Sequence, residues 1–120
     1  MKITRFEDIL GWQAARKLEQ AILAVVNHRR FRNIKLARQM KGCADSIMAN
    51  IAEGFDAGSD LEFVRFLKMA FRSATELQSH AYCALDERYV DQPTFDSLYA
   101  QAHEAKALIG GLIKYLKKSR

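Results

Sequence analysis

The chain has one proline and two cysteines in 120 residues, and no stretch of it is rich in glycine and serine. So few backbone breakers exclude a flexible linker, and the length suits one domain, residues 1–120, with its own core. Cys43 and Cys83 each fall inside a helical pattern and match no CxxC or other metal spacing, which makes them reduced, small, buried side chains. No apolar run approaches the roughly 20 residues of a membrane span. The N-terminal MKITRFEDILGW carries Glu7 and Asp8 where a secretory signal has its apolar stretch. A cytoplasmic protein without membrane contact is expected.

Chemistry-bearing motifs are also missing. Neither a phosphate loop nor a nucleophile with a positioned base is present, and the Glu-x-x-His repeat of di-iron bundles appears nowhere. His28, His80 and His103 are the only histidines. His80 and His103 fall at similar height if the last two helices pair across a turn near Val90, with Cys83 one turn from His80. This is the best metal constellation in the sequence, yet structural or surface roles are expected for these residues. The reading is a non-enzyme with no cofactor and no metal.

What the sequence does have is helical periodicity. Phe95, Leu98, Ala102, Ala105, Ile109, Leu112 and Leu116 alternate by threes and fours, as do Phe63, Leu67, Ala70, Ala74, Leu77, Ala81 and Ala84. Ala14, Leu18, Ala21, Ile22 and Val25 mark a first helix; Leu36, Met40, Cys43, Ile47 and Asn50 mark a second. The ends are signalled separately. Gly54 suits a left-handed cap after the second helix, Ser59 with Glu62 forms a capping box for the third, and Asp91-Gln92-Pro93 opens the fourth. No useful period-2 strand pattern competes. The periodicity predicts helices over 8–27, 33–53, 60–87 and 93–117. Short connections make neighbours antiparallel, so the fold class is all-α, an up-down-up-down four-helix bundle about 30–40 Å long.

Within the second helix, Ser46, Asn50 and Glu53 recur along one edge of the buried stripe. If Met40, Cys43 and Ile47 line the seam, Asn50 falls at a core position with Ser46 and Glu53 beside it. A buried amide there costs stability but fixes register. Ser73 and Glu76 share one side of the third helix, so the expected polar core network is Ser46, Asn50, Glu53, Ser73 and Glu76.

The stretch SIMANIAEGF, with GWQAARKL before it and EFVRFLKMAFRSATEL after it, resembles a bacterial four-helix-bundle family. That family is named after proteins encoded in intervening sequences of 23S rRNA genes. Ser46, Ile47, Asn50, Ile51, Ala52, Glu53 and Gly54 match its Ser-Ile-x-x-Asn-Ile-Ala-Glu-Gly signature. Leu10, Trp12, Gln13, Phe63, Phe66, Leu67, Ala70, Ser73, Glu76 and Leu77 also fall where the pattern places them. The resemblance implies a pentameric homo-oligomer with no known enzymatic activity. More distantly, the chain is similar to the accessory proteins of diversity-generating retroelements, which bind a reverse transcriptase and nucleic acid. It departs from the family pattern with Phe31-Arg32 for Phe-Pro, Lys41-Gly42 for a basic pair, and Asp56 for a basic residue.

Two surface features carry functional readings. Nineteen basic and fourteen acidic residues give a net charge of +5, and the excess is clustered. Arg29, Arg30, Arg32, Lys35 and Arg38 lie in one acid-free stretch; Lys114, Lys117, Lys118 and Arg120 lie in another. These are the candidate contacts to nucleic acid or a partner protein, without sequence preference. The opposing reading is internal balance, with Asp86, Glu87, Asp91 and Asp96 at the same end as the first cluster. The second feature is the third helix, which is apolar on two sides: Leu61, Val64, Met69 and Phe71 lie outside or at the margin of its seam. A helix of that kind needs a second partner, so these four form the expected oligomer interface. The function expected is an oligomeric scaffold or interaction module. The alternative is non-specific binding of RNA or DNA through basic ends.

Overall fold

The computed structural model describes residues 2–118. A 3-10 turn at Phe6–Asp8 leads into four helices: α1 (Leu10–Val26), α2 (Ile34–Phe55), α3 (Asp60–Asp86) and α4 (Gln92–Lys118). Arg120 of the second basic cluster lies outside the described residues. Each helix packs on two others, α1 and α3 both touching α2 and α4, so the four stand at the corners of a square. The result is an antiparallel bundle of 47 × 20 × 19 Å.

The stripes predicted for α3 and α4 are buried at every position, from Phe63 to Ala84 and from Phe95 to Leu116. In α1 the buried face is rotated by one residue: Gly11, Ala15, Leu18, Ile22 and Val26 face inward, while Ala14, Ala21 and Val25 sit at the margin. Gly11 lies against both α4 and α2 where α1 enters the bundle: a Cβ there would stand in ordinary contact, 3.4 Å from Ile109 Cγ1 and 3.8 Å from Ile51 Cδ1.

The starts of α3 and α4 follow the expected caps, and Asn33 adds one for α2. Ser59 Oγ accepts from the Glu62 N–H at 3.2 Å, opening α3. Glu62 does not close the box; its carboxylate instead takes Arg65, at 3.0 Å. Asn33 Oδ1 accepts from Leu36 N–H at 3.0 Å at the start of α2, and Asp91 Oδ1 accepts from Thr94 N–H at 2.9 Å at the start of α4. These side-chain and backbone bonds from Thr94 hold the Asp91 carboxyl below its ordinary range. At this end of the bundle Phe31 stacks on Tyr89, with ring centroids 4.5 Å apart, closing the α1–α2 turn onto the α3–α4 turn.

Gly54 corrects the sequence reading. It does not cap α2 but lies buried inside it, and the helix runs on to Phe55. The glycine with positive φ is Gly58, at 89°. Gly54 is needed for proximity: a Cβ there would stand 2.6 Å from Phe66 Cβ and 3.0 Å from Phe63 Cδ1. The side chain is absent because α3 occupies its place. Gly54→Ala therefore lowers stability by about 1–3 kcal/mol despite the better helix propensity of alanine. Urea denaturation checks this, and a variant as stable as the parent contradicts it.

Candidate functional site

The polar edge of α2 meets α3 through two hydroxyls. Ser46 Oγ and Ser73 Oγ are 2.8 Å apart, and both side chains are half-buried. Asn50 is half-buried rather than in the core, and its amide does not cross to α3. Its Nδ2 donates to the Ser46 carbonyl at 2.8 Å and to Ser46 Oγ at 3.0 Å. The amide thus fixes the serine that makes the bridge. Among the described residues no buried side-chain N or O lacks a hydrogen-bond partner, as a stable interior requires.

Two members of the expected network stand apart from it. Glu53 is exposed and among the described residues its side chain makes no hydrogen bond or ion pair, because the step from Asn50 carries the helix face past α3 to solvent. Glu76 also points outward, with its side chain 62% exposed, and reaches His80 Nε2 at 3.3 Å on its own helix. The metal grouping foreseen from sequence changes as well. Cys83 and His103 are exposed, and the His/Cys/carboxylate group that assembles is Cys43, Glu76 and His80, with ligand atoms within 4.8 Å of one another. The Cys43 thiol is pushed up to about 12, first by burial and then by the charge and hydrogen bond of Glu76.

A second polar link was not legible in the sequence. Gln78, only 6% exposed, donates from Nε2 to the Tyr99 carbonyl at 3.4 Å and accepts from Lys106 Nζ at 3.1 Å. Lys106 also lies 4.9 Å above the Phe71 ring. Gln78 follows Leu77 directly, and periodicity alone assigns only one of two such neighbours to the interior. Here α3 faces both α2 and α4, so both are buried.

The same geometry corrects the expected oligomer face. Val64 is 4% exposed and belongs to the core, next to Phe63 at 8%. Met69 is half-buried, while Leu61 and Phe71 remain 62% and 37% exposed. Leu10 joins them, at 58%. It borders an apolar groove between α1 and α4, about 240 Å³, whose walls include Leu108, Gly111 and Tyr115.

Arg29, Arg30, Arg32, Lys35, Arg38, Lys114, Lys117 and Lys118 are all exposed. None forms an ion pair with Asp86, Glu87, Asp91 or Asp96; the ion pairs among the described residues lie elsewhere. Glu87 instead accepts from Asn33 Nδ2 at 3.1 Å. The proposed internal balance is not made by direct contacts.

The fold and its polar joint define an all-α four-helix bundle without strands among the described residues. The sequence model of the 23S rRNA-intervening sequence protein family matches residues 7–111, and the chain belongs to that family. No curated protein sequence matches it. A crystal structure at 1.70 Å of a protein of unknown function from the S23 ribosomal protein family, from Bacteroides thetaiotaomicron VPI-5482, is similar in fold. The TM-score is 0.78 at 21% identity, covering 88% of this chain and 99% of that one. Among the described residues no helix is long and apolar enough to cross a membrane.

If Ser46 and Ser73 act as one unit, a double-mutant cycle with Ser46→Ala and Ser73→Ala gives a coupling of about 0.5–1.5 kcal/mol. Additive losses contradict a direct bond.

Proposed function

We propose that this protein is a non-catalytic, homo-oligomeric interaction module of the cytoplasm, larger than a dimer and pentameric, whose subunits meet on the outer face of α4. The observation that carries this reading is a pair of glycines in mid-helix, Gly110 and Gly111. Each costs helix stability, about 1 kcal/mol relative to alanine. Nothing within the subunit requires them: a Cβ at Gly111 would meet no atom within 4 Å, and one at Gly110 only Phe71 Cε2 at 4.0 Å. Gly42 of α2 is equally open, but Arg38, Gln39 and Asp45, three or four residues away on its face, are polar and exposed. The α4 pair is instead bordered by Leu10, Leu108 and Tyr115 in one groove and, in the next, by Phe71 and Ile113 together with Lys68, Arg72 and Lys114. Bare backbone beside these apolar side chains lets another helix approach closely, and self-association buries apolar surface that the monomer leaves in water.

Light scattering of the parent at micromolar concentration gives a mass above that of a dimer. In the Gly110→Ala/Gly111→Ala variant the mass falls, while the subunit gains about 1–2 kcal/mol of helix stability. A monomeric parent contradicts the proposal.

A second reading rests on the uncommitted basic side chains. Arg29, Arg32, Lys35 and Arg38 surround the α1–α2 turn without an ion pair, which leaves them available to phosphates. On this reading the oligomer binds RNA or DNA without sequence preference. Neutralising Arg29, Arg30, Arg32 and Lys35 together weakens binding to all nucleic acids about equally and flattens its salt dependence. Mobility-shift assays at low and physiological salt measure this. No shift of the parent at low salt removes nucleic acid and leaves a protein partner.

A further inference from the structure

We propose that Cys43, Glu76 and His80 form a binding site for a divalent transition-metal ion, with Zn2+ as its ligand, clamping α2 to α3. The three donors come from two helices. Glu76 and His80 are four residues apart on one face of α3, so their side chains project together. Cys43 reaches them from α2. It lies one turn before Ser46 in an antiparallel pair, and Glu76 lies one turn after Ser73, so the Ser46–Ser73 bond sets the thiol opposite the carboxylate.

The spacing is close to what zinc needs. Zinc–sulfur bonds of about 2.3 Å and zinc–nitrogen or zinc–oxygen bonds of about 2.0–2.2 Å put tetrahedral donor atoms about 3.3–3.8 Å apart. Here the donor atoms lie within 4.8 Å of one another, so closing the site takes about 1 Å of side-chain movement. The mobile member is available: Glu76 has a side chain 62% exposed, whereas that of His80 is 18% exposed and Cys43 is buried. Two donors are therefore held by packing and the third swings in from solvent. The solvent side leaves the fourth position for water.

The donor set also selects the ion. Thiol, imidazole and a single carboxylate suit zinc, while magnesium and calcium take oxygen ligands. A buried thiol beside a carboxylate is unfavourable to ionise, and a dication between them removes the reason. Cys43 loses its proton to solvent on binding, and the thiolate and carboxylate together balance the two positive charges. Sequence spacing could not show the group, because Cys43 is brought to α3 only by the helix pairing.

The test uses untagged protein carrying Cys83→Ser, so that Cys43 is the one thiol. Calorimetry with Zn2+ alone gives one equivalent bound per chain with Kd below about 1 μM. Co2+ in its place gives a thiolate-to-cobalt charge-transfer band in the near ultraviolet. His80→Ala and Cys43→Ala each weaken zinc binding by roughly 100-fold or more, and Glu76→Gln by roughly tenfold. His80 is half-buried at the margin of the core, so its variant disturbs the fold less than loss of buried Cys43; circular dichroism checks both. Absence of zinc binding, a cobalt complex without the charge-transfer band, or zinc affinity unchanged in His80→Ala overturns the proposal.

Discussion

The pairing of α2 with α3 turns on their close approach at Gly54. Of the six glycines, only this one would place a Cβ within 3 Å of a neighbour, 2.6 Å from Phe66 Cβ. That contact fixes where the two antiparallel helices are opposite each other. Ser46 lies eight residues back along α2 and Ser73 seven residues forward along α3, and their hydroxyls meet at 2.8 Å. One further turn brings Cys43 to Glu76 and His80. A shift of either helix by one residue would rotate it by about 100° and separate every pair in the series.

This register gives the stretch Ser46 to Gly54 a physical meaning. Ile47 and Ile51 fill the core, with no measurable exposure. Ser46 bridges to α3, Asn50 holds Ser46 in place, and Gly54 lets the helices close. Hydrophobic burial supplies most of the stability of such a bundle, but it is indifferent to small sliding motions. The polar bond and the glycine contact are what distinguish one register from its neighbours. The amide of Asn50 acts here through its own helix, which places its effect on α2 rather than across the seam.

Much of the fold was legible in the sequence, because a helix that buries one stripe must repeat apolar residues by threes and fours. The α3 and α4 stripes and the bundle class follow from that rule, and the caps at Ser59 and Asp91 from the side-chain acceptors that open a helix. Ser46 and Ser73 were also identifiable, as polar groups on the edges of those stripes. What was hidden depends on which neighbour a face meets. Val64 looked peripheral, and nothing marked Gln78 as buried, because periodicity assumes one buried face, whereas α3 at its corner packs on two helices. Gly54 resembled a cap because a glycine near a helix end has that meaning in isolation; only the position of Phe66 shows the other use. Glu53 sits within the family signature yet faces water. The grouping of Cys43 with Glu76 and His80 lay across a turn and two helices, beyond the reach of any local spacing.

The α2–α3 register is set where Gly54 and Phe66 touch. Nuclear Overhauser spectroscopy on the intact protein tests it most directly. A strong cross-peak between the Gly54 α-protons and the Phe66 β-protons is expected. The absence of that cross-peak, with both spin systems assigned, would contradict it.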